Sequence, residues 1–131
     1  MRRRDRRTAV ILAAGIVGAM LTQAACHRTA TTSAAVPGGD PALGPGLIRS
    51  YGCQTCHTVP GVPGADATVG PPLTGFGDRR YIAGEVANTG QNLVRWIMDP
   101  QSIEPATVMP DAGVTETDAR NIAAYLETLH S

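Results

Sequence analysis

Cys53-Gln54-Thr55-Cys56-His57 is the stretch that decides how this chain folds. Two thiols three residues apart on one turn can add to the two vinyl groups of a haem, and the adjacent imidazole then reaches the iron from one side. Covalent attachment follows from that spacing. Other readings of a Cys-x-x-Cys fit less well. A redox dithiol follows a strand and opens a helix, whereas a helical pattern precedes this motif and the Gly/Pro-rich run VPGVPGA (59–65) follows it. A zinc site needs four ligands, and outside the motif only His27 and His130 remain as nitrogen donors.

The iron's other face calls for a His, a Met or an open position. Met109 is the leading candidate: it stands in Thr107-Val108-Met109-Pro110 between two helical patterns, where a residue before proline is extended and a thioether can point inward. Met98 lies near the end of a helix carrying Leu93, Val94 and Ile97, where a methionine more often fills core. His130, one residue from the end of the sequence, reads as solvated.

The helical patterns surround the motif. One starts at Asp40-Pro41 and carries Leu43, Leu47, Ile48 and Tyr51 into it, with Gly44 and Pro45 able to push its start later. Thr89 caps a second over about 90–98, which Asp99-Pro100 ends. Thr115 caps a third, with Asp118 in the capping-box position and Ile122, Tyr125, Leu126 and Leu129 on one face. No strand pattern is visible, so the expected class is all-α, about three to five helices wrapped around one haem. Aromatics are only 4% of the chain (Tyr51, Phe76, Tyr81, Trp96, Tyr125). So few large side chains supply a small domain poorly, and a bound cofactor would add the missing apolar mass.

The N-terminus has a different composition. Arg2, Arg3, Arg4, Arg6 and Arg7 precede the apolar run Thr8–Ala25, the pattern of an export signal with its basic end held in the cytoplasm. Ala24-Ala25-Cys26 resembles the lipobox of bacterial lipoproteins, although Gln23 stands where that motif usually has Leu; the resemblance implies lipidation at Cys26. An uncleaved anchor is the next reading, since the run would span about 27 Å as a helix, and a cleaved soluble form is third. Residues 1–25 are therefore expected to be a signal peptide or membrane anchor, 26–40 a flexible linker with about 20 Å of reach, and 41–131 the folded domain. All eleven basic residues are Arg. With residues 1–25 removed, six Arg face ten carboxylates, a net charge of −4, which leaves no basic stripe for nucleic acid.

With the segments CHTVPGVPGA, VGPPLTGFGDRRYIAG, NTGQNLVRWIMDPQSIEPATVMPDAGVT and IAAYLETL in view, the chain from about residue 41 onward resembles class I cytochromes c. It is most similar to the cytochrome c domain fused to subunit II of some bacterial cytochrome c oxidases. That resemblance implies one covalent haem c with His57 and Met109 as axial ligands. It implies that the Pro71 carbonyl holds the His57 ring, that Leu73, Trp96 and the Tyr125/Leu126 face pack on the porphyrin, and that Arg79 and Trp96 reach a propionate. Pro72, Gly90 and Glu104 stand where the fused domains often carry Asp, Pro and Lys, and the oxidase copper domain is absent from this sequence.

The expected function is one-electron carriage on the periplasmic side of a bacterial membrane, the inner one by preference, with no catalytic residues. A quinol-oxidising complex or a dehydrogenase would donate, and a terminal oxidase would accept. The rival expectation is a haem peroxidase or ligand sensor, which requires Met109 to leave the iron.

Overall fold

The computed structural model describes residues 36–131. The expected export segment, Cys26 and His27 lie outside them. Among the described residues, no helix is long and apolar enough to cross a membrane.

Three helices carry the architecture. Asp40 accepts a hydrogen bond from the Ala42 amide at 2.9 Å and caps a single 3-10 turn over Pro41–Leu43. Helix α1 then runs Gly44–Ser50, so the proline at 45 sits in its first turn, where a missing N–H costs nothing. Gly52, at φ 77°, ends it in a left-handed conformation and turns the chain into the 3-10 turn Cys53–Thr55. Helix α2, Gly90–Met98, begins at Thr89, whose hydroxyl accepts from the Asn92 amide at 3.2 Å. It buries Gly90, Leu93, Val94 and Ile97, one face at helical spacing. Helix α3, Glu116–Leu126, begins at Thr115 as expected.

The cap of α3 departs from a capping box. The Asp118 carboxylate accepts from the Thr115 hydroxyl at 2.9 Å and the Tyr51 hydroxyl at 2.7 Å. The second bond links the start of α3 to the end of α1. The face of α3 also differs from expectation. Ala119 and Ala123 are the fully enclosed residues beside Ile122 and Leu126, while Tyr125 and Leu129 are partly buried. Small side chains there let α3 pack against both α1 and α2.

Close approach is acute at Gly44, where α1 meets α3. A Cβ placed there would lie 2.8 Å from Tyr125 Cγ and 3.2 Å from the Asn121 carbonyl oxygen, with Tyr125 Cβ nearer still. The Tyr125 hydroxyl continues across the domain to donate to the Pro60 carbonyl at 2.5 Å.

One observation corrects the sequence reading and a second adds to it. Tyr81–Ile82 (β1) and Val86–Ala87 (β2) form an antiparallel pair, too short to show an alternating pattern. Residues 36–40, counted above with the flexible linker, lie against α3: Arg120 donates to the Pro37 carbonyl at 2.9 Å, and the Asp40 amide donates to Asn121 at 2.8 Å.

Candidate functional site

The segment from Gly52 to Leu73 places the motif. In the turn Cys53–Thr55, the amides of Cys56 and His57 both donate to the Cys53 carbonyl, at 3.2 and 3.0 Å. Both thiols are thereby held on one turn, and neither is in a disulfide. Burial pushes the Cys53 thiol pKa up, outweighing a hydrogen bond to the backbone that lowers it, with Cys56 adding to the rise. A redox dithiol needs an easily formed thiolate, so this environment argues against that reading.

Beyond the motif the chain makes an isolated bridge between Thr58 and Asp66 and returns over the imidazole. The Gly70 amide donates to Cys56 at 2.7 Å, and the Leu73 amide donates to Thr58 at 2.8 Å. The Pro71 carbonyl is thus brought to 2.7 Å from His57 Nδ1. With Nδ1–H donating there, Nε2 is the nitrogen left to bind a metal. Gly70 is required by proximity: a Cβ on it would lie 2.5 Å from His57 Cε1 and 2.8 Å from Nδ1.

A cavity of about 540 Å³ opens beside the ring, within the size range of cofactor sites. Cys53, Cys56, His57, Pro71, Leu73, Trp96 and Met109 all border it. Met109 arrives from the loop after α2, and Trp96 from α2 itself. Ile48, Phe76, Ile82, Leu93, Ile97, Ile122 and Leu126 supply its buried apolar wall. Met98 and His130 do not border it: Met98 packs against the core, and His130 Nδ1 lies 2.7 Å from Asp78.

The charged side chains at the cavity are Arg79 and Glu104, and both have partners. Arg79 donates to the Pro72 carbonyl and lies 5.1 Å from the centroid of the Phe76 ring, while Glu104 accepts from the Ala106 amide at 2.8 Å. Tyr51 also borders the cavity, tied to Asp118 across α1 and α3. Phe76, Ile82 and Tyr51 were not singled out as site residues from the sequence. They belong to separate turns and strands that only the fold brings together.

The Cytochrome c family model matches residues 41–130, most of the chain. The chain belongs to the cytochrome c family. Among curated relatives, this cytochrome is 39% identical over 84 residues to cytochrome c oxidase subunit 2 of Alkalihalophilus pseudofirmus, and 33% identical over 86 residues to that of Bacillus sp. strain PS3. Each match covers 63% of this chain and 24% of the relative, so the chain spans about a quarter of the length of those proteins. Among solved structures, cytochrome c2 from Rhodobacter sphaeroides superposes with a TM-score of 0.53 at 25% identity, covering 70% of this chain and 97% of that one. The fold is a small all-α class I cytochrome c fold, and its cofactor is covalently bound haem c. The residues present fit that group: two undisulfided thiols on one turn, an imidazole whose Nδ1 is engaged by the Pro71 carbonyl, a methionine bordering the same cavity and an apolar wall.

Proposed function

We propose that this cytochrome is an electron carrier with His57 and Met109 as axial ligands, Cys53 and Cys56 as thioether anchors, and Leu73 and Trp96 as packing for the macrocycle. The observation that carries the reading is the pairing at one cavity of an imidazole fixed through Pro71 with the thioether of Met109. When bound, the haem supplies one-electron exchange between Fe(III) and Fe(II), and Met ligation raises its potential relative to two imidazoles. The chain's own residues do the rest. The Pro71 carbonyl holds the imidazole in one tautomer and orientation, and the apolar wall excludes water. His57 and Met109 would both hold the iron, which would leave little to rearrange when its charge changes.

The surroundings support a particular kind of encounter. The chain has no Lys, so a ring of lysines cannot steer partners. Val69 and Val108, at 78% and 94% exposure, border the cavity from two separate loops and offer an apolar rim. We place the domain on the periplasmic side of a bacterial membrane, tethered by lipid at Cys26 or by an anchor within residues 1–25. Its donor is a quinol-oxidising complex or a dehydrogenase and its acceptor a terminal oxidase. The likeness to oxidase subunit 2 supports the acceptor.

The test is spectroscopic. A methionine-to-ferric-iron charge-transfer band at neutral pH, lost in Met109→Ala and kept in Met98→Leu, is the expected result. A high-spin ferric spectrum with fast peroxide turnover would establish the rival peroxidase or ligand-sensor reading instead.

A further inference from the structure

Met109 lies in a stretch with few means of holding itself in place. Val108 is almost wholly exposed and Pro110 is exposed, so neither anchors the loop by burial, and proline has no N–H to donate. Hydrogen bonding within 108–113 is local, as in the Gly113 amide donating to Asp111 at 2.8 Å. The tie to the turn behind it is Gln101, whose Nε2 donates to the Met109 carbonyl at 2.8 Å. On the other side, the Met109 amide donates to Thr107 Oγ1 at 3.3 Å. Both backbone polar groups of Met109 are thus held by side chains.

The turn that presents Gln101 is itself firmly set. Pro100 is buried, and Asp99 accepts from the Ser102 amide at 3.1 Å, while the Ser102 hydroxyl donates to the Asp99 carbonyl at 2.7 Å. The Glu104 amide then donates to Pro100 at 3.0 Å and the Thr107 amide to Glu104 at 3.0 Å. This chain of bonds runs from the end of α2 to Met109 and fixes where the thioether enters the cavity.

We infer that Gln101 and Thr107 are positioning residues that clamp the Met109 backbone and so keep the site closed to small ligands. The inference rests on Met109 being an axial ligand. It makes the clamp one control on how readily this site admits exogenous ligands. Gln101 is exposed, so changing it leaves the core untouched. Losing one net hydrogen bond changes the closed-to-open ratio by about two- to tenfold.

The test uses the full-length ferric holoprotein titrated with imidazole, which binds iron only after Met109 has moved away. Gln101→Glu keeps the side chain's shape but replaces its N–H donor with an acceptor. This variant and Gln101→Ala should bind imidazole about two- to tenfold more tightly than the wild type, with a matching rise in the limiting binding rate. Thr107→Val should move in the same direction, and Thr107→Ser should restore wild-type behaviour. If the charge-transfer band is present in the wild type but Gln101→Glu binds imidazole as the wild type does, the clamp is refuted while Met109 ligation stands. If the wild type has no such band, Met109 ligation fails and the clamp with it.

Discussion

Gly44 and Gly46 lie two residues apart in the same short helix, yet replacing each by alanine should have opposite effects. At Gly46 an added Cβ meets nothing within 4 Å, so the change brings only the better helix propensity of alanine, about 0.5–1 kcal/mol of stabilisation. At Gly44 the same methyl would lie 2.8 Å from Tyr125 Cγ and closer still to its Cβ. These atoms belong to the root of an aromatic side chain whose hydroxyl is fixed on Pro60 at 2.5 Å, so the ring cannot swing aside. Overpacking of this kind costs about 1–3 kcal/mol, more than the propensity gain. For a domain of this size 1 kcal/mol corresponds to about 4–8 °C, so Gly44→Ala should melt about 5–20 °C below wild type and Gly46→Ala at or slightly above it. Thermal unfolding of the ferric holoproteins, followed by far-UV circular dichroism, reads both. Equal melting temperatures for the two variants would refute the claim that the α1–α3 crossing is set by contact at residue 44.

Asp78 accepts from the Ser131 amide and from His130, each at 2.7 Å, and these bonds, the backbone one first, hold its pKa below the ordinary 3.8. A lowered folded pKa gives stability that is present above the unfolded value and lost as pH falls through the folded one, so below about pH 4 the wild type should lose stability more steeply than Asp78→Asn; parallel acid melting curves would count against this. Gly70→Ala should push the His57 ring off the Pro71 carbonyl, raising the reduction potential and weakening iron ligation about 10–100-fold, as loss of an outer partner does. Unchanged potential and unchanged ligand loss in denaturant would show that the ring does not depend on that contact.

The Cys53-Cys56-His57 spacing was legible as a haem-attachment pattern because it is a local property: three reactive groups on one turn need no other part of the chain to define their geometry. The helix starts were legible for the same reason, since Thr89 and Thr115 cap their own next turns. Met109 was a candidate on sequence because the residue before Pro110 is extended. What placed it at the same cavity as His57 was the course of a loop held by Gln101, a contact that no periodicity encodes. The Pro71 carbonyl is a backbone atom, and its role was suggested by likeness to relatives, not by its own chemistry. Tertiary packing decided that residues 36–40 lie on α3, that Asp118 bonds Tyr51 in place of the backbone, and that two small alanines, Ala119 and Ala123, are the fully enclosed residues of α3. Those features depend on how closely separate helices approach. The sequence by itself determined that Cys53, Cys56 and His57 share one turn and where the caps of α2 and α3 fall, whereas closure of the cavity depends on distances between elements far apart along the chain, which exist only once the chain has folded.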